Sequence, residues 1–270
     1  MICFPNAKIN LGLSVIERRP DGMHNIKTCY IPISIYDILE IQPSNKFSLV
    51  QSGLPLDCSA NDNLINKVWN LLLNIKGDIK PVKVLLYKNI PVGSGLAGGS
   101  SDAAFFMKAI NQLYSLNLSI SELEILASKI GADCPFFIKN KPTIATGIGN
   151  IFAPLNNPIQ NMYLAVIFPN KNISTKKAFG GIIPSKCLDF SLVINGKKSD
   201  WKNKLKNDFE AITMDNFPEI QIIKNALYKL GAMYVSITGS GSAIYALSSK
   251  PIDLSGLDNK YRVWSDVLVL

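Results

Sequence analysis

The stretch from Pro91 to Ala104 contains four glycines and three serines, and it is the part of the chain that most clearly suggests chemistry. An apolar run precedes it and apolar residues at helical spacing follow it, which predicts a strand, a glycine loop and a helix start in succession. Glycine allows the backbone to approach a ligand closely, and the first N–H groups of a helix have no partner inside it. Because such a turn attracts a polyphosphate, the stretch predicts a phosphate-binding loop, although ordinary surface loops also use glycine and serine.

This glycine loop differs from two other phosphate-binding patterns. No lysine follows its glycines, so it is not a Walker P-loop. The Gly-x-Gly-x-x-Gly from Gly93 to Gly98 lacks the regular βαβ alternation and the later acidic residue of a dinucleotide-binding fold. Asp102 would repel a phosphate unless its carboxylate points away from the loop. The predicted nucleotide-binding residues are Pro91, Val92, Gly93, Ser94, Gly95, Leu96, Ala97, Gly98, Gly99, Ser100 and Ser101.

One aspartate and one lysine elsewhere in the chain stand in settings that suggest a role in chemistry. Asp133 has only small or apolar neighbours, and a carboxylate in such surroundings needs a partner. It is either half of a structural salt bridge or an active-site base. Lys8 and Asn10 share one face of a predicted strand whose other face is apolar, from Ala7 to Val15. We expect this strand to be half-buried, with Lys8 either solvated or functional.

The elements that position these residues follow from apolar periodicity and helix caps. Asn63 is a plausible cap for a helix that starts at Leu64, and Ser119-x-x-Glu122 has the spacing of a capping box. Strands are predicted over Ile31–Ile41, Phe47–Val50, Tyr163–Phe168, Val235–Ile237 and Ala243–Leu247. The last two strands flank a glycine-rich turn, and the simplest interpretation of this pattern is a hairpin.

Composition excludes several classes of protein. A chain of 270 residues with 47% hydrophobic content forms one large or two small domains. Five scattered cysteines and a single histidine support neither a disulfide framework nor a zinc site. The lysines behind the net charge of +8 are spread singly, so no nucleic-acid surface is expected. No apolar run has the length of a membrane span, and a cytoplasmic protein is expected.

The glycine loop, read as Pro-x-Gly-x-Gly-Leu-x-Gly-Gly-Ser-Ser-Asp-Ala-Ala, resembles the ATP-binding motif of the GHMP kinases. Three further segments resemble motifs of that family in the same order: Ala7–Leu11 with Arg19–His24, Gly131–Phe137, and Thr238–Ser242. The resemblance implies a two-domain α/β (α+β) fold with the active site in the cleft between the domains. We place the N-terminal domain at residues 1–158 and the C-terminal domain at 159–270.

The resemblance also implies roles for individual residues. Lys8 and Asp133 would be the catalytic pair, with ATP and Mg²⁺ as cofactors. Asn63, Leu64 and Lys88 would lie near the adenine. The substrate-binding positions it implies are Asn10, His24, Thr175, Phe179, Gly239, Ser240 and Gly241.

The segment Arg-Pro-Asp-Gly-Met-His, ending at His24, is similar to a signature of the GHMP kinases that phosphorylate a small cytidylyl alcohol. Met23 stands where those kinases usually have tyrosine, so stacking on the base should be weaker, although the methionine sulfur also contacts aromatic faces. Three alternatives stay open. They are a sister kinase for homoserine or mevalonate, a non-catalytic binding protein on the same scaffold, and an RNA-binding protein that uses the positive charge.

Overall fold

The computed structural model describes residues 1–55, 62–173, 175–184, 190–257, 259–267 and 269, with only the backbone at 175–177 and 191. Among the helices of this described part, none is long and apolar enough to cross a membrane. The chain divides into two compact units that interleave along the sequence. The first unit comprises Met1–Ala7, Ile35–Val92 and Ala97–Asn140, and the second comprises Lys8–Ser34, Gly93–Leu96 and Lys141–Leu270. A division into domains at residue 158 stays a prediction.

Strands and helices both contribute to the fold. The strands are β1 (Ile2–Cys3), β2 (Asn6–Arg18), β3 (His24–Tyr36), β4 (Ile38–Pro43), β5 (Ser48–Gly53), β6 (Val82–Lys88), β7 (Thr143–Thr146), β8 (Ile151–Pro154), β9 (Tyr163–Phe168), β10 (Tyr234–Ile237), β11 (Ile244–Ser248) and β12 (Arg262–Trp264). The helices are α1 (Leu64–Lys76), α2 (Gly98–Leu113), α3 (Ile120–Ser128), α4 (Phe136–Lys139), α5 (Thr175–Gly180), α6 (Phe190–Asn195), α7 (Trp201–Lys204), α8 (Glu210–Asn216) and α9 (Glu219–Lys229).

The first unit holds a four-stranded sheet in the order β1-β4-β6-β5. β5 and β6 are parallel, and α1 makes the crossover between them, as a parallel pair requires. The predicted helix caps are confirmed: the Asn63 side chain accepts from the N–H of Ile65, and Ser119 and Glu122 form a capping box. Helices α1 and α2 pack together, and the Phe47 ring stacks on Trp69 at 4.8 Å between centroids.

The second unit holds two four-stranded sheets, ordered β2-β3-β7-β8 and β10-β11-β9-β12. β10 and β11 are antiparallel with Ile237 opposite Ile244, so the predicted strand, turn and strand after residue 234 is confirmed. Apolar residues of β2, β9, β10, β11 and α9 form one core cluster in this unit. These sheets therefore bring the start of the chain and its C-terminal hairpin into one core.

Strand β2 is buried on both faces, so the prediction of a half-buried strand is wrong. Its residues from Asn6 to Val15 are all buried. Apolar and polar residues alternate as predicted, but the turn between β10 and β11 covers the polar face at Asn10. Leu205 and Phe190 cover the next position on that face, Gly12, where an added Cβ would lie 2.5 Å from each. A solvated Lys8 is thereby excluded.

Candidate active site

Lys8 lies on β2 in the second unit with 3% of its surface exposed. Its ammonium donates a hydrogen bond of 2.6 Å to Oδ1 of Asn10, and it lies 4.8 Å from the centre of the Tyr30 ring. A buried charge is costly unless hydrogen bonds or counter-charges compensate it. The strand period of two places Lys8 and Asn10 on the same face, which is why the sequence spacing was informative. A buried lysine fits a functional role better than that of a solvated lysine on the surface.

Asn10 connects this lysine to the glycine turn that follows β10. Its N–H donates to Oγ1 of Thr238 at 3.0 Å, and its carbonyl accepts from the hydroxyl of Tyr245 at 2.8 Å. Its side-chain NH₂ donates to Oγ1 of Thr28, also at 3.0 Å. The sequence did not single out Thr28 or Tyr245, because a threonine or tyrosine in a strand carries no local signal of function.

The turn from Thr238 to Ser242 packs tightly against the first part of the glycine loop. The N–H of Ala243 donates to the carbonyl of Ser94 at 2.9 Å. Gly95 has a φ of +82°, and an added Cβ would lie 2.0 Å from the carbonyl oxygen of Thr238, so only glycine fits there. Gly239 and Gly241 also have positive φ, and Ser240 is buried. The second unit thus brings Asn10, residues 93–96 and the glycine turn together.

The rest of the glycine loop leads into α2 in the first unit. Ala97 precedes the helix with a left-handed φ of 59°, a conformation that non-glycine residues rarely adopt. Strained positions of this kind cluster at ligand sites. An added Cβ on Gly98 would lie 2.8 Å from Cγ2 of Ile90, so the helix start packs directly on the loop entry. The predicted strand, glycine loop and helix start are therefore confirmed as β6, residues 89–97 and α2.

Ser101 presents an unusual hydroxyl in the first turn of α2. The residue is fully buried, and its Oγ has no hydrogen-bond partner within the described part of the chain. Burying an unpaired hydroxyl costs free energy, which a ligand oxygen or a cation would recover. An oxygen donor beside free helix N–H groups fits a Mg²⁺–polyphosphate ligand. Among the described residues, no group of three or more His, Cys, Asp or Glu side chains is arranged to hold a metal ion.

Asp102 lies one turn into α2, where Lys88 neutralises it. The Lys88 ammonium contacts Oδ2 of Asp102 at 2.7 Å and also pairs with Oδ2 of Asp37. We name these three residues the ion cluster, and all are almost fully buried. Oδ1 of Asp37 accepts from the N–H groups of Asn89 and Ile90, at 2.6 and 2.9 Å. The cluster therefore ties the loop entry to the helix that follows the loop.

The charges in the ion cluster strongly affect one another. Burial raises the pKa of Asp102 to about 7, against the opposing effect of Lys88. Burial lowers the pKa of Lys88, but Asp102 and Asp37 outweigh that effect, and the pKa is raised overall. The Lys88 side chain was expected near the adenine from family resemblance. Its ammonium is engaged by two carboxylates, and only 1% of its surface is exposed. The placement of Lys88 near the adenine stays a prediction.

Asp133 is half-buried in the first unit, between α3 and α4. The next residue, Cys134, is fully buried, and burial raises the pKa of its thiol to about 12. A hydrogen bond with the Ser100 side chain and the charge of Asp133 also act on that thiol. Asp133 thus lies close to the helix start of the glycine loop within the first unit. Its pairing with Lys8, which belongs to the second unit, stays a prediction.

The predicted base-binding residues His24 and Phe179 come together. Their rings stack with centroids 5.0 Å apart and an angle of 27° between planes. Phe179 also meets the buried Phe209 edge-on at 4.8 Å, so it borders the core of the second unit as well. Met23, beside His24, is 46% exposed. Thr175 begins α5, but its side chain lies outside the described part of the structure.

Comparisons with known proteins show the family of this chain. The family model for the N-terminal domain of GHMP kinases matches residues 63–141, and the model for the C-terminal part matches residues 190–262. The chain belongs to the GHMP kinases, a family of ATP-dependent phosphotransferases.

The similar relatives are named for the same activity. The chain is 47% identical over 253 residues to a 4-diphosphocytidyl-2-C-methyl-D-erythritol kinase of Azobacteroides pseudotrichonymphae, covering 93% of this chain and 94% of that protein. It is 46% identical to the same kinase of Bacteroides fragilis, with 96% of each covered.

Solved structures also match the chain. A crystal structure of 4-(cytidine 5'-diphospho)-2C-methyl-D-erythritol kinase matches with a TM-score of 0.84 and 31% identity, covering all of both chains. A homoserine kinase from Cytophaga hutchinsonii matches with a TM-score of 0.68 at 17% identity, covering 100% of this chain and 97% of that one, and shows the fold alone.

Proposed function

We propose that this protein transfers the γ-phosphoryl group of ATP to the 2-hydroxyl of 4-diphosphocytidyl-2-C-methyl-D-erythritol. The reaction belongs to the synthesis of isoprenoid precursors by the non-mevalonate route, in the cytoplasm. The names of the relatives support the substrate. The observation that carries the chemistry is the buried ammonium of Lys8, held at 2.6 Å by Asn10 beside the glycine turn at 238–242.

The phosphates of ATP would bind the glycine loop. Phosphoryl transfer asks a protein mainly for positioning and for stabilisation of charge. The first N–H groups of α2 and the hydroxyls of Ser100 and Ser101 offer donors at the helix start, where the helix dipole favours an anion. The ion cluster turns the carboxylate of Asp102 toward Lys88 and so removes its repulsion of phosphate. Mg²⁺ would be held by the phosphates and Ser101 Oγ, and it supplies neutralisation of phosphate charge.

Asp133 and Lys8 would act on the reacting hydroxyl. Asp133 would accept or orient the proton of that hydroxyl, and a positioned base contributes about 10²- to 10⁴-fold to a rate. Lys8 would offset negative charge on the transferred group. The fixed position of the Lys8 ammonium on β2 means that little reorganisation is needed during the reaction.

The cytidine end of the substrate would be recognised by His24 and Phe179. Their stacked rings form a flat aromatic surface of the kind on which a base stacks. The amide of Asn10 has protein partners at both ends, so any contact with the substrate would use its second N–H or a lone pair that Lys8 does not occupy. We also assign the backbone of Gly239, Ser240 and Gly241 and the side chain of Thr175 to substrate binding. A homoserine- or mevalonate-type acceptor is not favoured, because the similar relatives are named for the cytidylyl substrate.

The test is ADP release by the purified protein with Mg-ATP. The acceptors compared are the cytidylyl substrate, homoserine, mevalonate and none. Asp133→Asn should lower kcat about 10²- to 10⁴-fold, the range expected for loss of a general base. Asp200→Asn, on an exposed carboxylate paired with Lys204, is the matched control and should leave kcat unchanged. Turnover of another alcohol in place of the cytidylyl substrate would refute the substrate, and an active Asp133→Asn enzyme would refute the base.

A further inference from the structure

We propose that Thr28 is a positioning residue for phosphoryl transfer. Its hydroxyl fixes the orientation of the Asn10 side-chain amide, and that amide holds the ammonium of Lys8. The inference rests on the catalytic role proposed above for Lys8. All of the groups involved lie in the second unit.

The hydroxyl of Thr28 can only accept a hydrogen bond from Asn10. Thr28 is fully buried on β3, and its Oγ1 donates to the carbonyl oxygen of Gly12 at 2.6 Å. A hydroxyl has a single hydrogen, and a backbone carbonyl oxygen can only accept. The hydrogen of Thr28 is therefore committed to Gly12. Toward Asn10, 3.0 Å away, Thr28 presents only lone pairs, so it requires the NH₂ end of that amide.

This requirement decides which end of the amide faces Lys8. With its NH₂ on Thr28, Asn10 turns Oδ1 toward the Lys8 ammonium at 2.6 Å. The reversed amide would place N–H donors against another donor that carries a positive charge. Thr238 does not fix the orientation of the Asn10 amide in this way. Its Oγ1 already accepts from the Asn10 N–H, and its hydrogen has two acceptors within 3.3 Å, Asn10 Oδ1 and the carbonyl of Gly95.

The backbone of Thr28 does not depend on this hydroxyl. Thr28 lies opposite Ala145 in the antiparallel pair of β3 and β7. Valine has nearly the same shape and is favoured in strands, so Thr28→Val removes the hydroxyl and keeps the packing. Thr143, on β7 in the same sheet, provides a matched control. It is also buried, and its hydroxyl donates to the carbonyl of Ala153 at 2.7 Å.

The experiment compares Thr28→Val, Thr28→Ser and Thr143→Val by steady-state kinetics with Mg-ATP. Thr28→Val should lower kcat by about 10- to 100-fold with the KM for ATP changed less than about threefold, because small displacements of a catalytic group cost up to about 10²-fold. Thr28→Ser, which keeps the hydroxyl, should recover most of the kcat, and Thr143→Val should behave as the wild type. A Thr28→Val kcat within a factor of two of wild type, or an equal loss in Thr28→Ser or Thr143→Val, would overturn the proposal.

The design separates this proposal from the proposed function. If the wild type phosphorylates a different alcohol, the substrate assignment fails and the same comparison is made with that alcohol. If no acceptor is turned over, a crystal structure of Thr28→Val decides. The proposal expects the Lys8 ammonium to have left Asn10 Oδ1 in that variant. An unchanged contact between those two atoms would overturn it without any measurement of activity.

Discussion

Replacing Asp102 by asparagine should change how the stability of the protein depends on pH. The substitution removes one negative charge from the ion cluster and nearly preserves the size of the side chain. Burial raises the pKa of Asp102 to about 7 in the folded protein, from an ordinary value of 3.8. The folded state therefore holds a proton on this carboxyl more tightly than the unfolded state does. Between those two pKa values the unfolded state binds fewer protons, so the free energy of unfolding of the wild type falls as pH rises.

The size of the effect follows from the two pKa values. Each pKa unit corresponds to about 1.4 kcal/mol, so the wild type loses up to about 4 kcal/mol between pH 4 and pH 7 through this group. Asparagine does not titrate, so the variant loses no stability through this position over the same pH range. The variant carries a separate cost of about 1 to 3 kcal/mol, because its NH₂ replaces Oδ1, which has no partner among the described residues. That cost does not depend on pH. The test is therefore how the difference in free energy of unfolding between the variant and the wild type changes with pH.

The assay is the melting temperature of both proteins, measured by calorimetry from pH 4.5 to 7.5. The difference between Asp102→Asn and wild type should move in favour of the variant as pH rises, by about 2 °C for each kcal/mol in a chain of this size. Asp200→Asn is the control, because hydrogen bonding to Lys204 lowers the pKa of that carboxyl and its effect is constant over this range. A difference between Asp102→Asn and wild type that stays constant within about 1 °C would refute the reasoning.

Three further outcomes test other parts of the structure. Lys88→Met leaves two buried carboxylates without their cation and should lower the free energy of unfolding by about 3 to 5 kcal/mol, measured by denaturant titration at pH 7. Gly98→Val brings the new side chain against Ile90 and should weaken ATP binding, measured by calorimetry. Gly256→Ala is the control, because its new Cβ meets nothing within 4 Å. If Gly98→Val binds ATP as tightly as the wild type, the helix start is not part of the site. Phe179→Leu should raise the KM for the cytidylyl substrate about tenfold, from the loss of about 1.4 kcal/mol of stacking, with the KM for ATP unchanged. A rise in both KM values would argue for general damage to the fold.

Local features of the chain could be read directly from the sequence. The glycine loop, the Asn63 cap, the Ser119 capping box and the terminal hairpin all depend on residues within a few positions of one another. Local backbone preferences and side-chain periodicity favour such features, so they can be read without knowledge of the tertiary contacts. The two-residue spacing of Lys8 and Asn10 similarly showed that they share a face of β2, and the ordered motifs indicated the family.

The sequence by itself determined the helix caps, the glycine loop, the terminal hairpin and the family, and the tertiary structure decided which charges are buried and what holds them. The Lys88 ammonium pairs with Asp37, 51 positions away, and Asn10 bonds with Thr238, 228 positions away. No local pattern marks Asp37 or Thr28 among the other aspartates and threonines of the chain. Strand pairing and packing create these contacts, and a periodicity that places a residue on one face of a strand does not say what covers that face.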